Sequence, residues 1–306
     1  MEGPHFEFRP VTRADKAAVN ALCSKIWGGE DYLPGCFDSW VADERGRFTA
    51  CVLDGRVIGL GKLSFLAPGH AWLEGLRKDP DVQVKGVGKA MCLEQLRVLA
   101  GLPGIRSVRF SAYAHNPPTI ALNESLGFKR VDTYTVKSKV LRGGQGRAFG
   151  RALKEPSPRG FSLRPAAADA VMERFKKAGW FRRYRLEAWK AYPLDACPAL
   201  RPDDTVLEAV DQAGASVGAI AWALDTLKRQ VSILALSADA PTVAAALCHA
   251  AESAGRDAGL YSMEAIVPLD RALCGMFDKA GYRSWETEED FLVYEYPLAE
   301  LARHAT

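Results

Sequence analysis

The run from Trp72 to Ala100 constrains the fold of this chain more than any other stretch. Trp72–Lys78 is an apolar strand, Asp79-Pro80 a turn, Gln83–Gly88 a short glycine loop, and Lys89–Ala100 a helix. The helix is marked by an apolar stripe of Cys92, Leu93, Leu96, Leu99 and Ala100, with Lys89, Glu94 and Arg97 as its polar remainder. A strand that passes through glycines into a helix makes an anion seat. Gly86 and Gly88 carry no Cβ, so backbone N–H groups can close on a phosphate. The positive end of the helix dipole points to the same place. The loop is not a Walker loop, because no Gly-Lys-Ser/Thr follows four residues after a first glycine. It is not a dinucleotide fingerprint either, having two glycines and no acidic residue after a second strand at the usual distance.

Gln83-x-x-Gly86-x-Gly88, following Leu-Arg-Lys-Asp-Pro, resembles motif A of the GNAT superfamily of N-acetyltransferases. Residues 116–128 resemble its motif B, an Asn, a helix with small or apolar residues at set offsets, and Leu-Gly-Phe. Here those positions are Asn116, Thr119, Ile120, Leu122, Leu126, Gly127 and Phe128. The local physics agrees: Asn116 suits a helix N-cap, Pro117 and Pro118 the first turn, and Gly127 the helix end. The resemblance implies an α/β (α+β) fold with a mixed, largely antiparallel central sheet flanked by helices. It also implies acetyl-CoA as cosubstrate. Leu76, Arg77 and Lys78 match the strand that offers backbone groups to the pantetheine and thioester. Gln83, Val84, Lys85, Gly86, Val87, Gly88 and Lys89 match the pyrophosphate seat, with Asn116 beside it from motif B.

The chain has 306 residues, 48% hydrophobic and 25% charged, which is soluble globular composition with length for two domains. A net charge of +3 with no basic run gives no nucleic-acid footprint. No apolar segment approaches the ~20 residues of a membrane span, and the first residues lack a signal-peptide core. Seven cysteines, odd in number and without Cys-x-x-Cys, read as reduced thiols of a cytoplasmic protein. Five dispersed histidines show no zinc spacing, and no metal site is expected. Oligomeric state is left open.

The pattern then repeats. Phe8-Arg9-Pro10 leads into Ala14-Asp15 and a helix, and Leu163-Arg164-Pro165 leads into Ala168-Asp169 and a helix. Strands at Val206–Val210, Gly218–Leu224 and Val231–Leu236 correspond to Phe48–Leu53, Val57–Ser64 and Ala71–Leu76. Helix Thr242–Ser253, strand Tyr261–Val267, helix Leu269–Tyr282 and strand Phe291–Tyr296 complete a second copy. The fold is therefore expected in tandem. The division is 1–142 as the acetyl-CoA domain, 143–160 as a Gly- and Pro-rich linker, and 161–306 as a degenerate copy. The second copy has Ser237-Ala-Asp-Ala-Pro-Thr where the glycine loop stood, so no pyrophosphate seat is expected there.

Acetyl transfer to an amine requires a base for the amine and a polarised thioester. Glu74 alternates with Trp72 and Leu76 on one strand face, a partly desolvated setting that suits a general base. The resemblance implies a tyrosine as acid where this chain has Asn123, which can hydrogen-bond a sulfur but not protonate it; Tyr32 or Tyr113 would substitute. The aromatic and acidic segment Ile26–Trp40 matches the region that lines the acceptor pocket. Its Trp27, Glu30, Asp31 and Tyr32 are expected to hold a cationic acceptor. Its Gly-Gly-x-Asp-Tyr-Leu-Pro run resembles vertebrate N-acetyltransferases acting on free histidine. Lys176–Lys190 reads as a solvated or inter-domain helix, from which Arg183 offers a partner for a substrate carboxylate. The expected function is acetyl-CoA-dependent transfer to a small-molecule amine such as a free amino acid. Transfer to a protein lysine or N-terminus, and non-catalytic acyl-CoA sensing, are the alternatives.

Overall fold

A computed structural model describes residues 5–141, 160–226, 229–285, 287 and 289–305. The expected linker, residues 143–160, falls outside this set except for Gly160. In chain order the first elements are β1 (Glu7–Pro10), α1 (Lys16–Cys23), α2 (Leu33–Val41), β2 (Arg47–Leu53) and β3 (Arg56–Ala67). Next come β4 (His70–Lys78), α3 (Val87–Ala100), β5 (Ser107–Tyr113), α4 (Pro117–Ser125) and β6 (Lys129–Val140). The second half opens with β7 (Phe161–Pro165), α5 (Ala168–Lys177), β8 (Tyr184–Glu187), β9 (Lys190–Pro193), β10 (Thr205–Asp211) and β11 (Ser216–Asp225). It closes with β12 (Gln230–Ala238), α6 (Pro241–Asp257), β13 (Ser262–Pro268), α7 (Arg271–Lys279), β14 (Arg283–Ser284), β15 (Phe291–Glu295) and α8 (Leu298–Leu301). None of the described helices is long and apolar enough to cross a membrane.

The chain forms two compact units. In the first, β1, β2, β3 and β4 pair antiparallel in that order, and β4 pairs parallel with β5. Asp54 and Gly55 join β2 to β3 with positive φ (49° and 74°), as a two-residue hairpin of right-handed twist requires. One sheet face carries α1 and α2, burying Val19, Leu22, Leu33 and Phe37 against Phe48, Ala50 and Leu60. The other carries α3, whose Val87 and Met91 meet Cys51 and Ile58. Gly59 lets α3 come this close, since a Cβ there would lie 2.7 Å from the Met91 sulfur.

In the second unit the order is β6-β13-β12-β11-β10-β7, antiparallel except for β12 with β13. Gly218 repeats the device of Gly59: a Cβ on it would lie 2.6 Å from Val243 of α6. The helix expected over Lys176–Lys190 is not there. α5 stops at Lys177, Gly179 turns the chain at φ 89°, and β8 and β9 form a hairpin through Ala188 and Trp189, both at positive φ. Burial decides the matter: Arg185 is enclosed on β8 and paired with Asp204 and Glu187. A solvated helix would have left it in water.

The units are not sequential, unlike the division at 142 and 161 read from the repeat. The first gathers the chain up to Ala112, Asn116–Val131 and the stretch from Val293. The second holds Tyr113–His115 and Asp132 to Leu292. Strand β6, expected to close the first copy, pairs with β13 from Tyr134↔Pro268 to Val140↔Ser262. The last strand of the chain completes the first unit instead. Tyr296 N–H donates to the Val108 carbonyl at 2.8 Å, and Arg109 pairs with Glu295 at 2.6 Å. Tyr294 stacks on Phe110 at 5.1 Å, and Tyr296 meets Phe128 edge-on at 5.0 Å. Each copy's final strand is thus held in the other's unit. Removing a buried aromatic costs about 3–5 kcal/mol, and this strand brings two. A chain of residues 1–141 should therefore fail to unfold cooperatively, although it contains both motifs. A sharp thermal transition of that fragment, matching the first unit of the whole chain, would show the exchange to be dispensable.

Candidate active site

The site begins with a bulge in β4. Lys62 lies opposite Glu74 and Leu60 opposite Arg77, so Gly75 and Leu76 together face one β3 residue, Gly61. Gly75 sits at φ 66°, and a Cβ on it would lie 2.5 Å from the Trp40 ring. Because side chains alternate along a strand, the extra residue reverses the faces beyond it. Leu76, expected beside Glu74, packs instead with Val82 and Val84 in the α3-side cluster. Arg77 takes the place beside Glu74 on the α1–α2 face. β4 also parts from β5: the parallel register covers His70–Trp72 with Ser107–Arg109 and no further. Leu76, Arg77 and Lys78 lie in the parted segment.

The glycine loop follows, tied down by the buried Asp79. This carboxylate accepts from Lys25 at 2.9 Å, from Arg56 at 2.6 Å and from the Asp81 N–H at 3.0 Å. Burial pushes its carboxyl up, but these partners outweigh that and hold it below its ordinary value. Gly86, at φ 85°, is the N-cap of α3, and a Cβ there would meet no atom within 4 Å. No side chain caps this helix end, which leaves its first-turn N–H groups for a ligand. Gln83, Lys85 and Lys89 are exposed around it, whereas Val84 and Val87 turn their side chains into the core. Gly88 also has a packing role. A Cβ there would lie 3.3 Å from Leu122, so it sets the approach of α3 to α4. Asn116 caps α4, its side chain accepting from the Thr119 N–H at 3.4 Å.

Asn123 is taken up within the packing of α3 and α4. It is buried, its amide donates to the Thr119 carbonyl at 2.8 Å, and the Cys92 sulfur lies 4.0 Å from its Oδ1. The residue is spent on packing α4 against α3.

The loop that carries Trp27, Asp31 and Tyr32 is organised around Arg77. Its Nε donates to Asp31 Oδ2 at 2.7 Å and its Nη2 to Oδ1 at 3.1 Å. Its third nitrogen reaches the Leu76 carbonyl at 3.0 Å. The Trp27 ring covers the guanidinium at 4.4 Å and the Tyr32 ring lies at 5.3 Å. Asp31, expected to bind a substrate ammonium, is therefore already neutralised, with its side chain fully buried. Burial pushes its carboxyl up, yet the guanidinium beside it holds it below the usual range. Trp27 likewise covers a cation of the protein itself. It does so at φ 48°, the first of three successive left-handed residues with Gly28 and Gly29, a conformation costing a non-glycine residue about 1–3 kcal/mol.

Tyr32 is half-exposed at the start of α2, and burial of its hydroxyl raises it above the ordinary phenol value despite the nearby guanidinium. The charge of Glu74 pushes it the same way. Glu74 accepts from the Ser64 hydroxyl at 2.7 Å, and its cross-strand neighbour Lys62 is buried in an ion pair with Asp43. Glu30 is exposed. Glu74, Tyr32 and the Arg77–Asp31 pair thus come together in the first unit. Arg183 belongs to the second unit, where it lies 5.5 Å over the Tyr184 ring. Tyr113 also belongs there, among His115, Trp189 and Trp285.

The family model described as "Acetyltransferase (GNAT) family" matches residues 17–128, the stretch that holds the bulge, the glycine loop and α4. Residues 17–128 are thus similar to a GNAT domain. The chain is 34% identical over 82 residues to a histidine N-acetyltransferase of Oreochromis niloticus, a segment covering 26% of this chain and 24% of that protein. The chain thus spans about a quarter of the length of that curated relative. Two solved structures share the fold over the whole chain. A GCN5-related N-acetyltransferase from Sphaerobacter thermophilus superposes with a TM-score of 0.61 at 15% identity, covering 96% of each chain. A tandem GNAT protein from the clavulanic acid biosynthesis pathway gives 0.58 at 15% identity, covering 95% of this chain and 98% of that one.

Within residues 17–128, the residues the sequence did not disclose are Asp79, Ser64 and the Lys62–Asp43 pair. A lysine and a serine two apart on a β3 face offered a signal, but their partners lie on other elements. The Arg77–Asp31 pair can be tested directly. Removing one charge of a buried pair costs about 3–5 kcal/mol, so Asp31→Asn should lower stability at pH 7 by about that much. The native carboxyl titrates below its unfolded value of about 3.9. Its contribution is therefore complete above that value and lost as pH falls through the lower native one. The gap between wild type and Asp31→Asn in denaturant midpoint should shrink in acid. Equal midpoints at pH 7 would show the pair to be without consequence.

Proposed function

We propose that this chain is an acetyl-CoA-dependent N-acetyltransferase whose acceptor is the amine of a small molecule, a free amino acid such as histidine. One observation carries the reading: a bulged β4 parts from β5 directly ahead of an uncapped helix whose N-cap glycine is left-handed and open to solvent. The similarity of one segment to a histidine N-acetyltransferase supports the choice of acceptor.

The residues present fit acetyl-CoA, which supplies the acetyl group as a thioester. The first-turn N–H groups of α3, with Gln83, Lys85 and Lys89 around them, would hold its pyrophosphate. The segment Leu76–Lys78, which has left the register of β5, would hold its amides, as a strand edge does. Glu74, which accepts from the Ser64 hydroxyl, takes the proton of the acceptor ammonium, directly or through water. Tyr32 keeps its phenolic proton at neutral pH and is placed to donate it to the departing sulfur. Trp27 and Arg77 wall this side of the pocket. Helix α6 opens on Pro241 after Ala240, without a left-handed glycine, so one acetyl-CoA should bind per chain. The compartment would be reducing, as in the cytoplasm, since none of the seven cysteines forms a disulfide.

Gly86→Val should weaken acetyl-CoA binding by more than ten-fold, because a β-branched residue resists φ 85°. Calorimetry reporting normal affinity, or two sites per chain, would remove the loop assignment. Glu74→Gln should leave that affinity intact and lower kcat by roughly 10²–10⁴-fold, with partial recovery at high pH. CoA release should be fastest with free amino acids. A lysine peptide turned over faster than any of them would replace the small-molecule acceptor with a protein.

A further inference from the structure

The second unit contains a cavity of about 230 Å³. It opens where β12 and β13 part. Their parallel register runs from Gln230↔Ser262 to Ile233↔Ala265 and stops. The next residue, Leu234, is the extra one where β12 bulges against β11, and it lines the cavity. The repeat has therefore kept the parted strands of the first unit while losing the glycine-opened helix beside them. A space of this kind lacks the seat for a nucleotide's phosphates but retains room for a small molecule.

Its lining carries both signs of charge. Asp132 receives the Thr133 N–H at 3.0 Å and the Tyr134 hydroxyl at 2.7 Å, both neutral donors. Arg182 is exposed at the same cavity. Among the described residues neither forms an ion pair. Trp180, Phe181 and Tyr134 supply buried aromatic wall. That wall is fixed in advance: the Trp180 indole donates to the Leu236 carbonyl at 2.8 Å. Phe181 is held at φ 55°, next to a chain turn at Gly179. A non-glycine residue keeps this conformation only where its surroundings enforce it, and such strain gathers at binding sites.

A carboxylate and a guanidinium left unneutralised around one small, aromatic-walled cavity are met together by a zwitterion. A singly charged ligand would match only one of them and leave the other to water. We propose that the second unit binds a free α-amino acid in this cavity, Arg182 taking its carboxylate, Asp132 its ammonium, and the aromatic wall its side chain. This site is separate from the acceptor site of the first unit and holds whether or not the chain acetylates amino acids.

Calorimetry on the full chain, without acetyl-CoA, tests it with L-histidine, L-phenylalanine and L-leucine as probes. At least one should bind with Kd below about 1 mM, an affinity reachable by a ligand of this size. Arg182→Gln, an exposed substitution that leaves the core intact, should weaken that binding at least ten-fold, and Asp132→Asn likewise. The matching amide and the matching amine-free acid should each bind at least ten-fold more weakly than the amino acid. Absence of binding by all three probes, or binding unchanged in Arg182→Gln, overturns the proposal. Because the readout is binding at Arg182, a failure of acetyl transfer in the first unit does not affect it.

Discussion

The left-handed bulge at Gly75 is the constraint from which the rest of the site follows. Trp40 lies where a Cβ would stand, so no other residue fits there without moving α2. The bulge turns Arg77 to the face of α1 and α2, where Asp31 and Trp27 close over it. That pairing fixes the loop that carries Tyr32. The same segment of β4 has left the register of β5, exposing the backbone edge that leads to the glycine loop. One backbone irregularity therefore orders both sides of the candidate site, the parted strand edge and the Trp27–Tyr32 wall.

What could be read from the sequence was local. The strand, glycine loop and helix of α3 show themselves through apolar spacing and glycine position, and α4 through Asn116, two prolines and Gly127. The element order of the second copy was legible for the same reason. What escaped depended on contacts between distant residues. Arg77 and Asp31 stand 46 residues apart, and each alone reads as a ligand for something charged. The bulge escaped because Gly75 resembles any strand glycine until the register with β3 is known. A strict alternation then placed Leu76 beside Glu74, one residue wrong. In the second copy, Arg182–Arg185 looked like a solvated helix face because sequence does not reveal that Arg185 is enclosed by Asp204 and Glu187.

Duplication preserved packing more faithfully than chemistry. Gly59 and Gly218 serve the same close approach of a helix to the sheet, and in both copies the parallel pairing ends ahead of a bulge. Packing is enforced in each copy because every core residue contributes to stability. Ala240 and Pro241 start α6 as a helix, and Pro241 removes one of the first-turn N–H groups that an anion would meet.

The exchanged strands bind the fate of the two copies together. Arg109 and Glu295, paired in the first unit, are 186 residues apart. Contacts of such separation form late, because the loop must close before they contribute. The first unit, which holds the glycine loop and Glu74, is therefore completed only by the stretch from Val293, made after the whole of the second unit. Loss of the second copy would leave Phe110 and Phe128 without Tyr294 and Tyr296, however intact the site residues remained. The first unit is therefore expected to depend on a chain that has first run through the second, even though the second copy has no glycine loop.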